Sequence, residues 1–302
     1  MLEKESMLRK LRLSDKFQVY CDITQKLYDI NDSYHIGEVS QLKPHYDWLI
    51  KPVGQIVEVG ERKEIKNRFC SGFNIGEGYF LTAGHCLSQG NVCYLYDPNV
   101  NVDGLAVTFD FAHSHQGFVE NFYPIRVIDH GHCNVDFNYP ITNATTDYAV
   151  FQLNAQSINY GTVNLTLNRP EVNNTDVVLA HHPAGTRKKI SFGKIKAIDD
   201  KTVNHSAFTL GGSSGCPIAL EHSKEIVAVH VAGSTHNGTK VPDQKHHFGI
   251  TIKEIARVAK DNSKEWVYNL GLFQRAISHD IVVNNDERRV VPYYNPRSNC
   301  PC

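Results

Sequence analysis

From residue 53 onward the chain is a succession of short β-rich runs cut by glycine, proline and asparagine. The runs are Gly54–Gly60, Ser71–Leu81, Val92–Tyr96, Ile125–Ile128 and Tyr148–Leu153. A second set follows at Val177–Leu179, Lys189–Ile198, Ala207–Leu210, Ile218–Leu220, Ile226–Val231 and His247–Ile252. Many short strands separated by turn residues predict an all-β sandwich or a pair of barrels. No strand–helix–strand alternation is present, which argues against a parallel α/β sheet. With 302 residues, of which 41% are hydrophobic, the chain has apolar material for one large core or two moderate ones.

The flanks read differently. Residues 1–52 predict a helical extension, because Phe17, Tyr20, Ile23, Leu27 and Ile30 recur at a 3–4 spacing and Ser14 stands where a cap belongs. An accessory helix packed on the body is the plain reading, and a partner-docking or autoinhibitory segment is the alternative. After the last strand, Ile252, Ile255, Ala256 and Ala259 predict a helix over Ile252–Asp261, and a second is expected over Trp266–Ala276.

Formal net charge is −1, so no nucleic-acid footprint is expected. No apolar run reaches the length of a secretory leader or a membrane span. Taken with Met1 as its start, the chain is expected in the cytosol, where Cys70 and Cys86 would stay as thiols; a missing leader would make it secreted.

Three short segments carry chemistry. Phe80-Leu81-Thr82-Ala83-Gly84-His85-Cys86 ends an apolar run in a small-residue turn, with Cys70 sixteen residues before Cys86. Thr146-Asp147-Tyr148-Ala149-Val150 sets an aspartate at the head of an apolar strand. In Gly211-Gly212-Ser213-Ser214-Gly215-Cys216-Pro217, glycines beside a serine let the backbone turn until the amides of Gly212 and Ser214 converge on one spot.

Taken together, these segments resemble the trypsin/chymotrypsin-like serine proteases, and the order His85, Asp147, Ser214 is the order that family uses. The resemblance implies two six-stranded antiparallel β-barrels. Their expected bounds are 53–160 for the first barrel and 161–261 for the second with its closing helix, followed by a C-terminal extension over 262–302. It implies a Ser214–His85–Asp147 triad, an oxyanion hole from the amides of Gly212 and Ser214, and pairing of Cys70 with Cys86. Cys216 competes as a nucleophile, since viral relatives of this fold use cysteine, but it lies two residues past the converging amides and reads as a packed side chain.

Thr209 and His230 stand where V8-like glutamyl endopeptidases and viral 3C-like proteases carry a threonine and a histidine that read a Glu or Gln side chain. Phe208 occupies the position where trypsin carries its specificity aspartate. Val231, Ala232 and Gly233 would then pair with the substrate backbone. Expected partners are a protein or peptide substrate, with either extension offering a surface for a regulator. No metal and no cofactor are expected: His181-His182 and His130-Gly131-His132-Cys133 lack the spacing of a zinc motif. The functional expectation is a serine endopeptidase cleaving after Glu or Gln in a regulatory or defence setting, the alternatives being a silent binding protein on the same fold or another acyl-transfer enzyme.

Overall fold

The computed structural model describes residues 27–29, 39–61, 64–89, 92–93, 104–109, 123–131, 146–172, 175–185, 188–233 and 247–273. Strand β1 (Leu27–Asp29) and helix α1 (Val39–Ile50) come first. They are followed by β2 (Val53–Val59), β3 (Ile65–Gly76), β4 (Tyr79–Thr82) and the short pair β5 (Ser88–Gln89) and β6 (Val92–Cys93). Next are β7 (Leu105–Thr108), β8 (Tyr123–Pro124), β9 (Arg126–His130) and β10 (Ala149–Gln152). The second half holds β11 (Asn164–Leu165), β12 (Asp176–His181), β13 (Lys189–Ile198) and β14 (Thr202–His205). It continues with β15 (Pro217–Leu220), β16 (Glu225–Ala232), β17 (His247–Thr251), α2 (Ile252–Asp261) and α3 (Glu265–Asn269).

The all-β, two-barrel, chymotrypsin-like architecture is what folds. In the second half the strands run β13-β12-β15-β16-β17-β14, and β14 pairs back onto β13, closing a six-stranded barrel. The first half departs from a closed six-stranded barrel. It is a seven-stranded sheet in the order β8-β7-β2-β3-β4-β10-β9, whose ends do not meet among the described residues.

The larger core cluster fills the first half and continues into the second, where a smaller cluster fills the closed barrel. In the first, Phe80 stacks on Phe151 with centroids 6.1 Å apart and meets Phe109 edge-on at 5.9 Å, above the buried Ile56, Phe73 and Val107. In the second, Val177, Leu179, Ile195, Val203 and Ile218 fill the barrel. Burying each such side chain contributes about 1.5–3 kcal/mol. Tyr46, Leu49 and Ile50 of α1 join the larger cluster, and Lys188 Nζ donates to Ile50 O at 2.8 Å, satisfying a carbonyl at the end of that helix.

Three local expectations are corrected. Leu27, assigned to a helical stripe, lies in β1, which pairs with Lys189–Ser191 of β13: an unpaired sheet edge outweighs a local periodicity. Phe17, Tyr20, Ile23 and Ile30 lie outside the described residues. Ala207–Leu210 is not a strand, because Leu210 exchanges both its N–H and its carbonyl with Ser213 and closes a turn. The helix expected over Trp266–Ala276 is the shorter α3. By contrast α2 has the bounds its spacing predicts, with Thr251 capping it by accepting from Glu254 N–H at 3.1 Å.

Candidate active site

His85 sits in the single 3₁₀ turn Gly84–Leu87 that follows β4. Asp147 lies two residues before β10, the strand that pairs with β4, and Ala149↔Thr82 sets that register. The pairing brings the two residues together across 62 positions of sequence. Asp147 is fully buried and grips His85 twice: Oδ1 accepts the backbone N–H at 2.7 Å, and Oδ2 lies 2.7 Å from Nδ1. With Nδ1 donating to the carboxylate, the ring presents its Nε2 lone pair. Burial alone would depress the His85 pKa, but the charge of Asp147 and its hydrogen bond outweigh it, and the net shift is upward from the ordinary value.

Ser214 is brought to the same corner through its backbone. Its carbonyl accepts Ser71 N–H at 2.8 Å and lies 3.8 Å from the sulfur of Cys86, the residue after His85. Cys86 is joined to Cys70 in a disulfide, the pairing that the resemblance implied and not the free thiols expected of a reducing compartment. Gly215 is wedged into the first sheet. At φ +84°, a Cβ there would lie 2.1 Å from Thr82 Oγ1 and 2.2 Å from Ser71 O. Gly212, at φ +90°, has the same need: a Cβ would meet His182 O at 2.7 Å. Among the described residues the N–H groups of Gly212 and Ser214 donate to nothing, whereas those of Ser213 and Gly215 donate to Leu210 O and His230 O.

Cys216 is fully buried, and burial pushes its thiol pKa well above the usual range. It is a packed side chain, as its place in the sequence suggested. His130 Nδ1 lies 2.8 Å from the Gly131 carbonyl, while His132 and Cys133 fall outside the described residues.

Thr209 and His230 lie beside the serine loop with partners the sequence reading missed. Thr209 Oγ1 is 2.8 Å from His247 Nδ1, and His230 Nδ1 is 3.2 Å from His205 Nε2. The rings of His205, His230 and His247 lie with centroids 5.3–6.0 Å apart. Burial, then the neighbouring imidazoles, holds His230 well below the ordinary histidine pKa. His181 is lowered to about 3 by burial, by His247 and by Lys189. Near neutrality these two imidazoles are uncharged. The available signal for His205 and His247 was their position at strand ends flanking the serine loop, lost among 16 histidines. Val231 is buried, and Ala232 and Gly233 are half-buried just past a bulge in β16. Among the described residues, no strand pairs with these three on the side away from β17.

The sequence matches the family described as lysyl endopeptidase, C-terminal domain, over residues 56–249. That span takes in both sheets and all three chemical segments. The chain belongs to this family. The lysyl endopeptidase match begins inside β2 and ends inside β17, so β1, α1 and the closing helices lie beyond it. The chain is also similar to a curated protein, "Secreted RxLR effector protein 73" of Plasmopara viticola, at 27% identity over 209 residues. That alignment covers 60% of this chain and 46% of the relative, so the chain spans about half the length of the curated protein it matches. Among solved structures it is similar to a Glu endopeptidase in complex with MPD (TM-score 0.49, 15% identity, 71% of this chain and 91% of that one). A similar likeness holds for the active form of the Rv3671c protease from M. tuberculosis (TM-score 0.48, 14% identity, 72% and 84%). A third is to the serine endoprotease from Yersinia pestis (TM-score 0.48, 16% identity, 73% and 65%).

Proposed function

We propose that the chain is a serine endopeptidase whose nucleophile is Ser214, with His85 as general base and Asp147 as its orienting carboxylate. The observation that carries this reading is the double grip of Asp147 on His85, through the backbone N–H and through Nδ1, beside the Ser214 backbone. A serine hydroxyl is too basic to lose its proton unaided at neutral pH. His85 Nε2 takes that proton as Oγ attacks the scissile carbonyl, and Asp147 stabilises the imidazolium that forms. The developing oxyanion is received by the N–H groups of Gly212 and Ser214. His85 then returns the proton to the leaving amine, the acyl-enzyme remains on Ser214, and water repeats the cycle.

The preferred P1 residue in this reading is Glu, with Gln second. Thr209, His205, His230 and His247 offer hydroxyl and imidazole N–H donors to a carboxylate or amide oxygen. Although the family is named for lysine, Phe208 stands where an acidic partner for a basic side chain would be expected, six residues before Ser214. Residues 231–233 would add a short strand pairing to the substrate backbone.

A fluorophosphonate probe applied to wild type and to Ser214→Ala tests the nucleophile: wild type alone should be labelled. Labelling of both proteins, or of neither, overturns the assignment, and labelling of neither leaves the fold as a binding scaffold. Profiling with a peptide library tests the pocket, and predominant cleavage after Lys, Arg or Phe would refute the Glu/Gln preference.

A further inference from the structure

The loop before Ser214 is held by hydrogen bonds that fix its peptide planes one after another. Three planes run from Gly211 to Ser214. In the first, the Gly211 carbonyl accepts Ala184 N–H at 2.5 Å. A trans peptide sets C=O and N–H on opposite sides, so this bond turns the N–H of Gly212 away from Ala184. In the second, the Gly212 carbonyl accepts the Ser71 hydroxyl at 2.8 Å, and Ser213 N–H donates to Leu210 O at 3.0 Å. In the third, the Ser213 carbonyl accepts Cys216 N–H at 3.0 Å, which fixes the direction of the N–H of Ser214.

At the centre is the fully buried side chain of Ser213. Its Oγ accepts Leu210 N–H at 3.1 Å, so its own proton is free for His181 Nδ1, 2.7 Å away. His181 is fully buried at the end of β12, and in the tautomer protonated at Nε2 it offers the Ser213 proton a lone pair at Nδ1. Its low pKa keeps the ring neutral, as that acceptor role needs. The adjoining His182 N–H donates to the Ser71 hydroxyl at 2.9 Å, so two consecutive residues brace the loop from opposite sides.

We infer that His181 is a positioning residue: through Ser213 it holds the loop in the conformation that aims the N–H groups of Gly212 and Ser214 at one point. This rests on the reading of those two amides as oxyanion donors. The brace is built from β12 and Ser71. His181 does not touch substrate, and its effect is expected on kcat and not on KM.

The test compares wild type with His181→Ala, His181→Gln and Ser213→Ala in the full chain. Three readings are taken: kcat and KM on a cleaved peptide, affinity for a peptide aldehyde, and hydrogen exchange over residues 210–216. Removing one oxyanion donor costs about 10²–10³-fold in kcat. His181→Ala is therefore expected to lower kcat and aldehyde affinity by about 10²-fold with KM within about threefold, and to speed exchange across 210–216. His181→Gln, whose amide oxygen accepts the Ser213 proton, should recover most of the loss. An unchanged kcat, a loss confined to KM, or unaltered exchange at 210–216 overturns the inference. Exchange is read on the folded protein whether or not it turns over, so failure of the protease reading itself, seen as an unlabelled wild type, is told apart from failure of the brace.

Discussion

Trp266 of α3 donates its indole N–H to Asp129 Oδ2 at 2.8 Å, joining residues 137 positions apart. The same oxygen accepts the Tyr148 hydroxyl at 3.1 Å, and Lys264 Nζ lies 3.3 Å from Oδ1. Asp129 is buried at 1% exposure, so its charge is supported by two hydrogen-bond donors, Tyr148 and Trp266, and by the ion pair with Lys264. Tyr148 follows Asp147 directly, so this cluster is tied to the chain next to the proposed orienting carboxylate.

Trp266→Phe removes one donor and leaves the carboxylate the Tyr148 hydroxyl and the Lys264 ion pair. It should cost about 1–3 kcal/mol in urea unfolding. Asp129→Ala leaves a buried tyrosine hydroxyl and a buried indole N–H without their acceptor at once, and should cost more than Trp266→Phe. Equal costs, or none, would mean that the cluster does not hold α3 in place.

The pH dependence follows from the His85–Asp147 pair. The base works as neutral imidazole, so kcat/KM should rise with pH through a midpoint above the ordinary histidine value of about 6.5. Asp147→Asn removes both the charge and the preferred tautomer, and should lower kcat by roughly 10⁴-fold. A midpoint at or below about 6.5 would contradict the raised His85.

Gly215→Ala tests the fit between the halves. The added methyl group would overlap Thr82 Oγ1 and Ser71 O on a backbone at φ +84°. Left-handed backbone costs a side chain roughly 1–2 kcal/mol, and forced overpacking typically another 1–3. Activity is expected to vanish along with a fall in melting temperature. A variant with wild-type turnover would show that the serine loop does not sit against β3 and β4.

Acid should weaken the fold. His181 falls to about 3 and His230 well below its ordinary value when folded, so the unfolded chain binds more protons below about pH 6.5. Stability from these two is present above that pH and is lost as pH falls, on the order of a few kcal/mol for His181 by pH 3. His85 acts in the opposite sense, stabilising below about pH 6.5 and losing its contribution as pH rises through its raised pKa. The large depressions of His181 and His230 outweigh the rise at His85, which gives a net loss in acid. Urea midpoints measured from pH 7.5 to pH 4 should decline, and the decline should be shallower in His181→Gln; a flat profile in wild type would contradict this sign.

Much of this was legible in the sequence because it is local or bound to strand register. His85, Asp147 and Ser214 announce themselves by glycine, cysteine and apolar neighbours within a few residues, and Lys189–Ile198 and Ile252–Asp261 fold with the bounds their patterns predict. What escaped depends on contacts far along the chain. The partnership of Thr209 with His247 spans 38 residues, and that of His181 with Ser213 spans 32. No periodicity marks either. Leu27 was misassigned because the edge of β13 that receives it is a property of the finished barrel and not of the segment itself.

Ser214 leans on Ser71 through its carbonyl, and Gly215 fits against Thr82, so the site belongs to neither half alone. Turnover is consequently a gauge of how the halves are mated. A slip of about 1 Å along that seam is enough to cost about 10²-fold in rate. Agents that wedge the halves apart would silence the chain while each half kept its own strands, and inactivation would precede melting.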